Sequence, residues 1–272
     1  MLLSLQPSPP LRPFIDCYWH SVRGPLPHTR ESMLPTGCAD IVVPLLQDHL
    51  IRYGTEPGAG MRRLRGAIVQ GPSDRFFVRG TEGPSAVVGV HFAPGGAAVF
   101  FGGALSELRN RTERLEDLWG PAAADLREQL QAAATPHRAL KWLDTWFLRR
   151  LTNAAPADPL AAMAVATFRR DPTRARVQPV MQEAGCSPEQ FIRRFERAVG
   201  LTPKRFASVT RFGAVLPLIA KSGPQNWAQV AASAGYFDQS HLIREFRHMS
   251  GLRPGAYAPV SADQPTHVAL AR

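Results

Sequence analysis

Two clusters of charged and amide side chains in the C-terminal half have the residue types that read base pairs. Arginine can donate two hydrogen bonds to guanine, glutamine can pair in the same way with adenine, and glutamate can accept from cytosine. The first cluster is Glu189, Gln190, Ile192, Arg193, Arg194 and Arg197. The second cluster is Gln239, Ser240, His241, Arg244 and Arg247. Ile192 could only make an apolar contact, for instance with a thymine methyl group.

The two clusters lie in a sequence that occurs twice. Residues 184–195 are echoed by residues 234–246, and residues 200–203 by residues 251–254. The offset is 50 residues at the Ala-Gly pairs and 51 from the phenylalanines onward. Each copy predicts a short helix that ends at glycine, then a tight turn, then a helix that carries arginine. This is the order of elements in a helix-turn-helix unit. Two such units predict a protein that reads two successive major grooves of double-stranded DNA.

Capping residues mark the predicted helices of both units. Ser187 is the expected N-cap, Pro188 the first helical residue and Gln190 the partner that completes a capping box. Asn226 is expected to cap a helix that starts at Trp227. The residues expected to anchor the second helices inward are Phe191, Phe195, Leu242 and Phe246.

Not every side chain in the clusters is expected to read a base. Arg194 and Arg197 fit phosphate contacts or solvated charges better, and His241 fits a capping or phosphate-binding role. Arg193 and Arg244 occupy equivalent positions in the two copies, so they are the first candidates for base contacts.

The length of 272 residues fits two domains. Residues 156–272 hold 15 Lys and Arg against 8 Asp and Glu, whereas residues 1–155 hold 17 against 14. A basic C-terminal part favours a polyanionic partner. The three cysteines, Cys17, Cys38 and Cys186, share no metal-ligand spacing and favour a reducing cytoplasm. No apolar run reaches the roughly 18 residues that a membrane helix needs, so no membrane partner is expected.

The composition predicts an α+β protein of two domains. Short β-branched runs before about residue 94 predict an N-terminal antiparallel β barrel or sandwich, with a helical extension from about residue 95. We expect this domain to span residues 1–153, with a linker at 154–158. An all-helical domain at 159–260 and a tail at 261–272 are expected to follow.

Two helices raise specific expectations. Leu140, Leu143, Phe147 and Leu151 form an apolar stripe on a helix opened by Pro136, which packs either on its own domain or, as a homodimer contact, on another subunit. A longer helix over residues 203–221 is expected to connect the two repeat units and to kink at Pro217. A break is expected at residues 222–224.

The N-terminal half shows no catalytic signature. Its histidines are scattered singly, and no nucleophile elbow, phosphate loop or dinucleotide fingerprint is present. No metal, cofactor or enzymatic activity is therefore expected. Core or surface roles are favoured for each of the side chains that could contact a small-molecule effector, which are Trp19, His20, Arg75, His91 and Phe92.

Residues 234–246, followed by residues 251–254, closely resemble the signature of the AraC/XylS family of bacterial transcription regulators. The resemblance covers roughly residues 158–259 and implies seven helices, with both helix-turn-helix units in one monomer. It implies base contacts from Glu189, Ile192, Arg193, Gln239, Ser240 and Arg244. Two departures are Ile192, where polar residues are usual, and Pro217 in the connecting helix.

Residues 34–40 and 89–96 are similar to a domain carried by a subset of these regulators. That similarity implies a sensor or dimerisation role, and RNA polymerase would be a further partner of an activator. The competing hypothesis is a small-molecule-binding or enzymatic β domain whose helical domain mediates protein association.

Overall fold

The computed structural model describes residues 1–55, 58–102, 105–220 and 226–270. Its described strands form two antiparallel sheets, which face each other as a sandwich rather than closing into one barrel. Sheet A contains, in spatial order, β1 (Leu2–Leu5), β2 (Ile15–Arg23), β9 (Ser85–Phe92), β4 (Asp40–Pro44), β7 (Ile68–Gln70) and β10 (Thr112–Arg114). Sheet B contains β11 (His267–Ala269), β3 (Arg30–Met33), β8 (Phe77–Gly80), β5 (His49–Tyr53) and β6 (Met61–Arg65).

The N-terminal hydrophobic core lies on the outer face of sheet A. Side chains alternate along a strand, so Tyr18, Val90 and Phe92 all point to this face and are fully buried. Helices cover them, and Phe147 lies 5.7 Å from Phe92 between ring centroids. These helices are α1 (Ala98–Phe101), α2 (Glu116–Trp119), α3 (Pro121–Ala132) and α4 (Pro136–Leu151).

The apolar stripe of α4 packs on its own domain. Pro136 begins the helix, as predicted, and Thr135 caps it. Leu140, Leu143 and Phe147 have no exposed surface. The stripe is therefore covered within the monomer, and the hypothesis that it contacts a second subunit is wrong for these three side chains.

Six α-helices follow the linker in the described residues. They are α5 (Pro159–Arg170), α6 (Val177–Glu183), α7 (Pro188–Val199), α8 (Pro203–Ile219), α9 (Trp227–Ser233) and α10 (Gln239–Ser250). The resemblance implied seven helices; in the described residues the six α-helices are followed by a 3-10 turn at Pro254–Ala256. Helix α8 continues through Pro217. The expected break at residues 222–224 lies outside the described residues.

The tail expected at residues 261–272 contains a strand, which the sequence did not predict. Strand β11 pairs antiparallel with β3 of the N-terminal domain, with Val268 opposite Ser32. Hydrogen bonds from Leu34 N to Thr266 O (2.8 Å) and from Leu270 N to Arg30 O (3.1 Å) extend the pairing. The tail therefore returns to the first domain after the helical domain is complete.

Val268 is the apolar contact of this returning strand, because it is buried whereas its neighbour Ala269 is exposed. We predict that Val268→Ser lowers the free energy of unfolding by about 2 kcal/mol, from lost burial and a buried hydroxyl. Ala269→Ser is the matched control and should change little. Melting temperatures and the rate of tail cleavage by a protease measure both effects, and equal behaviour of the two variants would contradict the docked strand.

Candidate functional site

The first helix-turn-helix unit is formed by α6 and α7. Gly185 takes the left-handed conformation between them, with φ of 63°. Ser187 Oγ accepts from Gln190 N at 3.2 Å, and Ser187 N donates to Gln190 Oε1 at 3.4 Å. This reciprocal pair is the predicted capping box. It fixes the direction in which α7 leaves the turn.

The second unit, α9 and α10, is built in the same way. Asn226 Oδ1 accepts from Gln229 N at 3.2 Å, and Asp238 Oδ1 accepts from His241 N at 2.6 Å. Gly235 has a φ of 73°, and a Cβ there would lie 1.9 Å from the backbone oxygen of Thr173. Only glycine fits that position.

Each second helix is anchored by two side chains four residues apart. Phe191 and Phe195 on α7, and Leu242 and Phe246 on α10, have no exposed surface. Because these anchors fix the inner face, the opposite face of each helix must point outward. The predicted base-contacting residues that are exposed are Glu189, Ile192, Arg193, Gln239, Ser240 and Arg244.

Arg193 and Arg244 are the two cations at equivalent outward positions. Within the part of the chain that the structure describes, neither forms an ion pair or a side-chain hydrogen bond. Both guanidinium groups are therefore available to a ligand outside the protein.

Three other predicted side chains already have partners. Arg194 Nε and Nη2 each lie 2.8 Å from an oxygen of Asp158, the N-cap residue of α5. The hydrogen bond with Arg194 holds the pKa of Asp158 below its usual value. Gln190 closes the capping box. His241 Nδ1 accepts from Phe237 N at 3.3 Å, and its ring lies 5.4 Å from that of Tyr236.

The two halves of the chain match different known families. Residues 3–114 match a model described as "Domain of unknown function (DUF6597)". Residues 180–259 match a model described as "Helix-turn-helix domain". A Streptomyces lividans protein described as "Putative AraC-like transcription regulator" is 30% identical over 133 residues, which are 48% of this chain and 40% of that protein. Residues 180–259 form a helix-turn-helix domain of the AraC type.

Solved structures of ToxT from Vibrio cholerae are similar at low TM-scores. One, from strain O395, has a TM-score of 0.46 and 12% identity, over 88% of this chain and 96% of that chain. Another, in a P21 crystal form, has a TM-score of 0.40 and 12% identity, over 94% and 96%.

The N-terminal domain lies beside the outward face of α7. A groove of about 690 Å³ lies between α7 and the 3-10 segment Leu105–Leu108. Arg109 of the first domain lies 4.0 Å from Glu196 of α7. The residues that line the groove are Ser106, Glu107, Glu189, Ile192, Arg193, Glu196 and Arg197.

Phe237 is a candidate contact that the sequence did not single out. It stands just before α10 and is 91% exposed, although a large aromatic ring normally avoids water. Phe237 lies outside the four-residue spacing of the buried anchors Leu242 and Phe246, and this spacing was the sequence signal that could have identified it as exposed.

A second candidate site is a cavity of about 970 Å³ between the two sheets. Of the predicted effector contacts, Trp19 and His91 line it. His20 and Phe92 point to the opposite face of sheet A, and Arg75 is exposed on a turn. The structure therefore does not bring the five predicted residues together. Missed residues that line the cavity include Arg23, Glu31, Arg52 and Arg79.

Two acid–base pairs lie in the cavity wall. Asp40 Oδ1 is 2.6 Å from His91 Nδ1, and the charge of Asp40 is the main cause that raises the pKa of His91 well above its ordinary value. Arg79 Nε donates to Glu31 Oε2 at 2.9 Å.

In the described residues no group of three or more His, Cys, Asp or Glu side chains is arranged to hold a metal ion. No described helix is both long and apolar enough to span a membrane.

We predict that Arg194→Ala leaves base preference unchanged within about twofold, because its guanidinium is paired with Asp158 and a phosphate contact carries no sequence information. The variant should melt slightly lower than the wild type. Because the folded-state pKa of Asp158 is lowered, the contribution of the pair is complete above about pH 4 and is lost as the pH falls through that pKa. Melting curves of both proteins from pH 7 into the acid range measure the difference between their melting temperatures. A difference that grows in acid would contradict the pairing.

Proposed function

We propose that this chain is a transcription regulator that binds specific DNA sequences through α7 and α10. The carrying observation is that two capped helices with outward arginines share one hydrophobic core in a single monomer. In helix-turn-helix proteins the second helix enters the major groove, and successive grooves on one DNA face are about 34 Å apart. Each monomer would therefore contact two consecutive major grooves.

The exposed side chains divide into two roles. Arg193 and Arg244 are proposed as the main base readers, because arginine can bond bidentately to guanine. Gln239, Ser240 and Glu189 would add base contacts, and Ile192 would contact a thymine methyl group. The residues proposed to contact phosphates are Gln190, Arg194, Arg197, His241 and Arg247. These contacts would supply sequence-independent affinity and make binding strongly dependent on salt.

The N-terminal domain is proposed to regulate DNA binding. Its cavity is large enough for a small-molecule effector. Its contacts with the AraC-type domain include those at α7, and strand β11, which follows that domain in the chain, pairs with β3. An effector that changes either contact would change the presentation of α7. The partners proposed are double-stranded DNA and an effector, with RNA polymerase if the protein activates transcription, and the place of action is the cytoplasm.

A catalytic function is not part of this proposal. The competing hypothesis, in which the helical domain only mediates protein association, predicts no sequence-dependent DNA binding. A mobility-shift assay with genomic fragments at several salt concentrations separates the two hypotheses. Selective retention of a few fragments supports the regulator, and absence of any retention at low salt would contradict it.

Arg244→Ala is the direct test of base reading. We predict a loss of about 1–3 kcal/mol of discrimination at one or two base pairs, because one bidentate contact is removed. Affinity for unrelated DNA should change little. Arg138→Ala, an exposed arginine on α4, is the matched control for the loss of one positive charge. Binding to a library of single-base operator variants measures the effect, and equal weakening on every sequence would assign Arg244 to a phosphate.

A further inference from the structure

The space between the two sheets is lined by charged side chains, although the facing sides of a β-sandwich normally form its apolar core. The apolar face of sheet A is used elsewhere, because it packs against α1 to α4. The inner face of sheet A carries Cys17, His91 and Asp40 in one row, which the register of β2, β9 and β4 aligns. A polar interior is costly unless it binds something.

Sheet B supplies the opposite wall of the cavity. Arg52 of β5 stands opposite Arg79 of β8, which in turn stands opposite Glu31 of β3. Side chains directly opposite each other share a face of the sheet. Three charged groups, two of them cations, therefore project from sheet B into the same space.

Three of the acids that line the cavity already have partners. Glu31 binds Arg79 and also lies 2.7 Å from His28 Nε2. Asp40 binds His91, as described above. Glu82 Oε1 accepts from the hydroxyl of Tyr53 at 2.6 Å. Two half-buried cations of the cavity, Arg23 and Arg52, form no ion pair with a carboxylate among the described residues, and the same holds for the exposed Arg63.

Both remaining guanidinium groups are incompletely hydrogen-bonded. Arg52 Nη1 donates only to Ile51 O, at 3.3 Å, and its buried Nε has no partner. Arg23 Nε donates to Ser85 Oγ at 2.9 Å, and its buried Nη1 has no partner. Burial, followed by the charge of Arg79, lowers the pKa of Arg52 to about 9 and lowers that of Arg23. A buried cation in this condition is stabilised by a bound anion.

Apolar groups lie beside these cations. The Arg52 guanidinium is 4.8 Å from the centre of the Phe77 ring. Trp19 lies across Gly89, where a Cβ would come within 2.1 Å of the indole. Further apolar side chains that line the cavity include Leu26, Met33, Val42 and Val87.

We propose that the cavity binds an amphiphilic organic anion, with its charged head group at Arg52 and Arg23 and its apolar body against Trp19 and Phe77. The proposal rests on the proposed effector control and names the chemical class of the effector. Pro265, Thr266 and His267 also line the cavity. The bound anion would therefore touch the strand that follows the AraC-type domain, which gives it a direct contact with the returning tail.

Anilinonaphthalene sulfonate and anilinonaphthalene are a matched pair of fluorescent probes, since they share a ring system and differ by the sulfonate. We expect the wild-type full chain to bind the sulfonate saturably. Arg52→Gln and Arg23→Gln should each weaken that binding about tenfold, the value of one charge-assisted hydrogen bond. Binding of the neutral probe should change less than about twofold, since it has no charge for arginine to bind.

Further variants separate charge from structure. Arg52→Lys keeps the positive charge and should retain more sulfonate binding than Arg52→Gln. Arg65→Gln is the control, because Arg65 is exposed on β6 and does not line the cavity. Circular dichroism and melting temperature establish that each variant is folded. If either glutamine variant is unfolded, the proposal is tested with the other glutamine variant and with Arg52→Lys.

The proposal is overturned if the sulfonate does not bind the wild type, or if the glutamine variants bind it as well as the wild type does. Equal loss of both probes would also overturn it, because the cavity would then be merely apolar. DNA binding is measured on the same samples. If the wild type does not bind DNA, the proposed regulator is contradicted. If it binds DNA but does not prefer the sulfonate to the neutral probe, only the anion site is contradicted.

Discussion

The packing of α8 against both helix-turn-helix units is the constraint on which the DNA interface depends. Phe206 lies 5.7 Å from Phe195 of the first unit, and Phe212 lies 5.3 Å from Phe246 of the second, between ring centroids. Protein interiors are close-packed and resist rearrangement. One continuous core therefore sets the separation of α7 and α10, while their capping residues set the direction in which each helix begins.

In the helical domain apolar side chains fill the space between the elements, whereas in the N-terminal domain charged side chains line the space between the two sheets. Sheet A uses its apolar face to hold helices, and the inter-sheet space is left to ion pairs and unpaired guanidinium groups. His267 of strand β11 lines this space, and β11 follows the AraC-type domain in the chain. In the proposed regulation, a change in the cavity would act through the backbone pairing of this tail with β3.

Local signals in the sequence predicted local structure well. The caps at Ser187, Asn226 and Asp158, and the bounds of α4, follow from residues within one helical turn. Pairings between distant segments were not predictable, including the three-residue strand β11 and the binding of Arg194 to Asp158, 36 residues away. Three of the five predicted effector residues, His20, Arg75 and Phe92, do not line the cavity. A largely apolar run such as residues 86–92 does not show which face of its strand meets the cavity.

Hydroxyl-radical footprinting of one monomer on a retained genomic fragment tests the central claim most directly. Two rigidly joined recognition helices predict two protected tracts on the same DNA face, centred about 10 base pairs apart. Arg193→Ala should weaken one tract and Arg244→Ala the other. A single tract, or two variants that weaken the same tract, would contradict the account.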